Sequence, residues 1–395
     1  MSRMIWPTIA KKRNTPILNP LRCVFDVLFK RQDYVTELEE AFAKFYRARH
    51  ALATESGRQA MELAVRSFKL SKGDEIIFPS LTFSELPAIV KGMGQVPVFV
   101  NCGEDFNIDV GELKRKITPR TRVIVATHMF GKGCEMEQVV RIARQKKIRV
   151  IEDCAHVQGV YRKNRLLGSY GDAAFFSFQN KKPINALGGG MLITNDAGVY
   201  DSARRTVSKQ ADLGLAVISS FVRNYAELAL SNGYAYPAQI LWWKIRANAK
   251  AVPGAHFALD KTKKFSHLQA RIALDQLESI EKANGRRLDL ARKYAKGLEG
   301  LDVALPDMRE GENGFYAFVA LSNEVSKMRK RLSSEGIETG GGESAVNNCG
   351  AIYDPKGDYR KTNSVMRRMI ELPMCQQLTD GDIRRICSQI RKALK

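Results

Sequence analysis

Between residues 50 and 160, short apolar runs alternate with amphipathic segments, and no other feature restricts the fold as strongly. Ala51–Thr54, DEIIFP, QVPVFV, TRVIVAT and IRVIED read as strands. Between them, a segment starting near Arg58 and then SELPAIVKGM, DVGELKRKI and EMEQVVRIARQKK read as helices. A strand joined to the next by a helix returns parallel to it. The alternation therefore predicts an α/β fold, a mostly parallel sheet with helices on both faces. Ligands of such sheets lie beyond the carboxyl ends of the strands. Ser56, Phe83, His128 and Asp153 all fall at those ends.

The stretch from Ile151 to Asp196 concentrates the chemistry: IEDCAHVQGVYRKNRLLGSYGDAAFFSFQNKKPINALGGGMLITND. Each feature has a plain reading alone: Asp153 as a helix cap, Lys181 and Lys182 as surface, Phe83 as core. In this order they suggest an enzyme that holds pyridoxal phosphate as a Schiff base on a lysine. That cofactor needs a carboxylate facing its pyridine nitrogen, so that the ring stays protonated and draws electrons. Asp153 can supply it. It needs a lysine amine, and of the adjacent Lys181 and Lys182 only one can point inward. The glycines at 188–190 let backbone come close to a ligand. The phosphate needs hydroxyls and helix N–H groups. Ser177 offers a hydroxyl, and the strand–turn–helix step at Ser56, Gly57 and Arg58 offers amides and a positive charge. Phe83 can stack on the ring.

Composition narrows the classes. A chain of 395 residues makes two or three domains. A net charge of +21 favours anionic ligands such as nucleotide phosphates, yet no five consecutive Lys or Arg occur and no nucleic-acid-binding signature is visible. Seven widely spaced Cys, with no C-x-x-C, argue against a zinc site and a disulfide framework and for a reducing cytoplasm. The first residues, MSRMIWPTIAKKRNTP, hold no apolar run of signal-peptide length, and no 18-residue apolar run suggests a membrane span.

Outside the alternating part, residues 1–33 read as a polar lead-in and VTELEEAFAKFYRAR as a helix. Segment 203–262 begins as a polar helix and continues as one or two packed helices. Within it Tyr234–Lys250 sets Trp242 and Trp243 beside Lys244 and Arg246, a candidate contact with an anionic membrane. FSHLQARIALDQLESIEKANGRRLDLARKYAKGLEGL reads as one long helical stretch and FYAFVAL as a strand. SKMRKRLSSEGI and LTDGDIRRICSQIRKAL read as helices, the last capped by Thr379.

From about Tyr34 to the C-terminus, the order of motifs resembles the DegT/DnrJ/EryC1/StrS family of sugar aminotransferases, fold type I pyridoxal-phosphate enzymes. The specific part is the pairing of IEDCAHVQG with GDAAFFSFQNKK and GGGMLITND. SGRQAMELA, FPSLTF, ITPRT, HMFG, FSHLQARIALDQLESI and ELPM support it. The resemblance implies a mostly parallel seven-stranded large domain and a smaller α+β C-terminal domain. Residues 1–33 would be an N-terminal arm, 34–262 the cofactor-binding domain with an extended helical insertion at 203–262, and 263–395 the small domain. The family pattern F-S-F-x-x-x-K selects Lys182. It places Ser177 on the phosphate and Asp153 on the pyridine nitrogen. His156 falls beside the phenolic oxygen, Phe83 against the ring, and Ser56, Gly57 and Arg58 in the phosphate turn. Lys182, Asp153 and His156 would be catalytic.

The implied reaction moves an amino group, from glutamate, to a keto group of a nucleotide-activated sugar or similar carbonyl compound. It would serve cell-surface polysaccharide or secondary-metabolite biosynthesis, in a homodimer whose sites are each completed by the other subunit. Retention of Lys182 favours transamination over the dehydration that lysine-less relatives perform. The chain departs from the pattern at Arg58, where the family has Thr, and at Gly188, where it has Glu. Thr262 and Lys264 stand where the family has a cross-subunit Asn and an Arg, and the substrate-side His motif is not evident in ESAVNNCGAIYD. These departures motivate two alternatives: a non-catalytic regulator or scaffold on the same fold, and a membrane-surface aminotransferase acting on a lipid-linked substrate.

Overall fold

A computed structural model describes residues 20–30, 32–212, 263–309, 312–341 and 346–395. Most of the 203–262 segment, including Tyr234–Lys250 and Thr262, lies outside the described residues. Among the described residues no helix is long and apolar enough to cross a membrane.

The alternation produces the expected sheet. Its strands are β1 (His50–Thr54), β2 (Glu75–Pro79), β4 (Val96–Val100), β5 (Thr121–Thr127), β6 (Arg149–Asp153), β9 (Ala173–Ser177) and β10 (Gly190–Thr194). Short ladders pair β3 (Leu81–Thr82) with β12 (Asn347–Asn348) and β7 (Tyr161–Arg162) with β8 (Arg165–Leu166). The seven strands lie in the order β1-β10-β9-β6-β5-β2-β4. From β9 to β4 every pairing is parallel, whereas β10 runs antiparallel to both β9 and β1.

Helices cover both faces. They are α1 (Pro20–Phe29), α2 (Tyr34–Tyr46), α3 (Gly57–Ser67), α4 (Glu85–Gly92), α5 (Val110–Lys116), α6 (Met136–Gln145), α7 (Ala197–Ser208) and α8 (His267–Glu278). Side chains alternate across a strand, and the middle positions of the strands are mostly apolar because both faces of the sheet are covered. Leu52, Ile76, Phe78, Val123, Val125, Ile151 and Phe175 pack with α3, α4 and α7. Ala53, Ile77, Ile124, Ala126, Val150, Phe176 and Met191 pack with α2, α6 and α8 on the opposite side.

A second core belongs to the C-terminal region. It is built from α9 (Ile280–Leu298), β11 (Phe318–Leu321), α10 (Val325–Ser334), β13 (Met369–Leu372) and α13 (Asp380–Leu394) around Tyr294, Phe318, Met328, Ile370 and Ile386. Two short helices, α11 (Cys349–Tyr353) and α12 (Arg360–Arg368), lie between. The apolar residues from Phe265 to Ile280 pack with the large core, so the change of core comes inside the helical stretch.

Two local readings differ from the sequence. The lead-in contains helix α1, which starts at Pro20, where a missing N–H costs nothing. It is fixed by buried Cys23 and by Asp26, which accepts from Arg271 Nε at 3.0 Å. The long helical stretch breaks at Ser279 (φ −102°, ψ 6°), whose hydroxyl bonds back to the carbonyls of Asp275 and Gln276.

Candidate active site

The ends of β5, β6 and β9 and the start of α3 surround a cavity of about 160 Å³. Asp153 closes β6 and is 5% exposed. Its Oδ1 accepts the Ala155 amide at 3.0 Å and its Oδ2 accepts the Thr127 hydroxyl at 3.3 Å. Burial pushes this carboxyl above its ordinary pKa, opposed by the Ala155 amide, by the charge of Lys182 and by the Thr127 hydroxyl. A buried carboxylate with two neutral donors is still short of a cation.

Lys181 and Lys182 separate cleanly. Lys181 is exposed and sits in the left-handed region at φ +75°, while Lys182 lines the cavity. The loop that carries them is held from two sides. Buried Gln158 donates to the Ser177 carbonyl at 2.9 Å and accepts the Ile184 amide at 2.6 Å. Gln276 of α8 accepts the Asn185 amide and donates to the Asn185 carbonyl, both at 2.9 Å. Gly188 ends the loop at φ +143°, and a Cβ there would lie 2.9 Å from Gln269 Nε2. The backbone conformation at Gly188 disfavours the glutamate that the resemblance leads one to expect, and Gln269 would have to turn aside to admit it.

Ser177 ends β9 on the cavity, opposite the first turn of α3. Ser56 caps that helix, its Oγ accepting the Gln59 amide at 3.2 Å, so it lies behind the lining while Gly57 and Arg58 face the cavity. A Cβ on Gly57 would come within 3.0 Å of the Phe176 carbonyl, so only glycine lets this helix start approach β9 so closely. The result is a helix N-terminus directed at the cavity, which its dipole makes favourable for an anion. Arg58 adds a charge and pairs with Glu85 at the rim.

The cavity wall brings in residues that the sequence did not point to. Phe83 is 45% exposed at the cavity edge, while Phe130, Tyr316 and Val346 join His156 in the lining. Tyr316 stacks on His156 with centroids 4.0 Å apart and an 11° tilt. FYAFVAL reads as an ordinary strand, and nothing local marks its tyrosine. His128, by contrast, does not face the cavity. It is fully buried, its Nε2 3.2 Å from Glu152 Oε2 and its Nδ1 accepting the Cys134 amide at 3.1 Å. Thr127 takes the ligand-facing place because successive side chains point oppositely. His128, Glu152 and Cys154 lie within 4.8 Å of one another like metal ligands. Glu152, however, already accepts the amides of Gly168, Tyr170 and Gly171, and burial pushes the Cys154 thiol well up. The cluster reads as a structural brace.

Comparison with known proteins identifies the family and the fold. The sequence model of the DegT/DnrJ/EryC1/StrS aminotransferase family matches residues 26–391. The chain is 26% identical to GDP-perosamine synthase from Escherichia coli O157:H7, over 91% of this chain and 90% of that protein. It is 28% identical to UDP-N-acetyl-3-dehydro-alpha-D-glucosamine 3-aminotransferase from Acidithiobacillus ferrooxidans, over 90% and 88% respectively. The solved structure of Helicobacter pylori PseC, an aminotransferase involved in the biosynthesis of pseudoaminic acid, shares the fold. Its TM-score is 0.80 at 19% identity, over 98% of this chain and 99% of that one.

Proposed function

The chain belongs to the DegT/DnrJ/EryC1/StrS aminotransferase family, and on that premise we propose that it moves an amino group from glutamate to a keto group of a nucleotide-activated sugar. The observation that carries this reading is the meeting of Lys182, Asp153, Ser177 and the start of α3 on one cavity. The cofactor of the family is pyridoxal phosphate. The residues present fit it. A buried carboxylate short of a cation suits a protonated pyridine nitrogen. A helix start that only glycine can bring so close suits a phosphate. An exposed phenyl ring at the cavity edge suits an aromatic plane.

When bound, pyridoxal phosphate supplies an aldehyde for amines and a ring that takes up the electrons of the C–H bond being broken. Lys182 Nζ is the amine that would hold the cofactor's aldehyde, and as a free amine it would serve as the base that takes and returns the substrate's proton. Asp153 keeps the pyridine nitrogen charged, and Thr127 and the Ala155 amide fix the orientation of that carboxylate. Ser177, Gly57 and the helix start would hold the phosphate, Arg58 would add charge to that anion site, Phe83 would cover the ring, and His156 would donate to the phenolic oxygen. The nucleotide of the substrate is drawn by the chain's +21 charge. The enzyme works as a homodimer, which the exposure of Phe83 and of Ile352 (57%) supports. It works in the cytoplasm, where seven cysteines without a disulfide are at home.

Borohydride reduction of the cofactor-loaded protein fixes the label on Lys182, and K182A traps none. Equal trapping in K182A sinks the assignment. Glutamate alone converts the bound cofactor to its amine form, which a non-catalytic scaffold would not do. A panel of keto nucleotide sugars then identifies the acceptor.

A further inference from the structure

Tyr316 lies between two groups that the proposed reaction uses. Its ring is 4.0 Å from that of His156 and nearly parallel to it, and Lys182 Nζ lies 5.2 Å from the centroid of the same ring. Burial raises the pKa of the tyrosine hydroxyl, and the nearby Lys182 amine opposes that rise. Phe130 completes the arrangement. Its ring lies within 16° of parallel to His156, and its backbone amide donates to His156 Nδ1 at 3.3 Å. Phe130 sits at φ +55°, ψ 13°, a backbone conformation that a bulky residue rarely adopts.

An imidazole nitrogen that accepts a hydrogen bond carries no proton, so the proton of the neutral ring is on Nε2. The chain around Tyr316 is tied to the same turn. Gly314 donates its amide to the Gly131 carbonyl at 2.9 Å, and Ala317 donates to the Phe130 carbonyl at 3.2 Å. The amide that sets the tautomer and the ring that fixes the plane of His156 therefore belong to one hydrogen-bonded unit. A histidine free to rotate could offer either nitrogen to the cavity. A clamped one offers only a donor, the form an anionic oxygen accepts from.

We propose that Tyr316 is a positioning residue of the transamination site, acting on two groups at once. Its ring holds His156 so that the Phe130 amide fixes the Nε2–H tautomer, and its hydroxyl holds the Lys182 amine when that amine is not joined to the cofactor. The inference rests on the assignment of Lys182 and His156 to the cofactor site.

Long-range proton–nitrogen NMR of the cofactor-free protein reads the tautomer directly. The chain has five histidines, and H156Q assigns the relevant signals. Wild type is expected to show an unprotonated Nδ1 and a protonated Nε2 at position 156. Y316F keeps the ring and this spectrum, but the rate at which trinitrobenzenesulfonate modifies Lys182, read by mass spectrometry, rises about fivefold, the equivalent of one hydrogen bond of about 1 kcal/mol. Y316L loses the single tautomer. A protonated Nδ1 in wild type, a Y316L spectrum identical to wild type, or unchanged Lys182 reactivity in Y316F overturns the proposal. Absorbance of the cofactor-loaded wild type tests the parent reading separately. No cofactor band there refutes that reading whatever the NMR shows.

Discussion

Replacing Glu152 with glutamine tests how the cofactor-facing edge of the sheet is held. One carboxylate oxygen accepts the amides of Tyr170 at 2.6 Å and Gly171 at 2.8 Å. The other accepts the Gly168 amide at 2.8 Å and faces His128 Nε2 at 3.2 Å. His128 must donate there, because its Nδ1 already accepts the Cys134 amide. Glutamine has nearly the same shape but only one oxygen. Whichever way its amide turns, its NH2 meets two donors. Each buried donor left without an acceptor costs about 1–3 kcal/mol, so E152Q should lose about 3 kcal/mol after some relaxation. With a urea m-value of about 3 kcal/mol per molar, the unfolding midpoint of the cofactor-free protein falls by about 1 M. The control is E324Q at an exposed ion pair with Lys327, expected within about 0.5 kcal/mol of wild type. Urea titration followed by circular dichroism reads both. An E152Q midpoint within about 0.2 M of wild type would refute the reasoning.

Burial holds the Asp153 carboxyl above its unfolded pKa, so an ionisation penalty on folding begins as pH rises past the unfolded value and levels off above the folded one. D153N removes that penalty. Cofactor-free D153N should be more stable than wild type at pH 7 by about 1 kcal/mol, with the gain vanishing in acid, yet bind the cofactor at least about tenfold more weakly. Thermal melting at two pH values and absorbance titration measure the two effects. Q158L cuts the link between Ser177 and Ile184, so it should cost about 2 kcal/mol and loosen the lysine loop, seen as weaker cofactor binding in the same titration. T379A breaks the capping box with Asp382 at the start of α13, so it should cost about 1 kcal/mol in thermal melting and leave cofactor affinity unchanged.

The parallel part of the sheet was legible because strands buried on both faces alternate with helices of one apolar stripe. The direction of β10 was not. It follows β9 through the lysine loop rather than a helix, and only the pairing shows the reversal. Asp153, Ser177 and Lys182 were readable because the chemistry is compressed into one stretch, and the family pattern separated Lys182 from its neighbour. His128 looked equivalent to Asp153 at a strand end, but the alternation of side chains sends it into the core and leaves Thr127 facing the cavity. Tyr316 reaches the site only through tertiary packing, and its sequence surroundings are those of any buried strand. The break at Ser279 escaped notice because a single hydroxyl competing for helix carbonyls leaves the apolar periodicity almost intact.

β1 lies at the edge of the sheet, and its register runs from His50 against Thr194 to Thr54 against Gly190. During synthesis the strand that leads into Ser56 therefore emerges early and waits for a partner made much later. Until residue 194 has left the ribosome, β1 has no strand partner in the sheet, and the side of α3 that packs on β10 is uncovered. Asp153 and Lys182 are by then already translated. A nascent chain released before this point would hold the acid and the amine of the site, but the turn before α3 would lack the strand that braces it. β1 is thus an early-made edge strand that joins the sheet late, the kind of unpaired edge that invites wrong pairing in a growing chain.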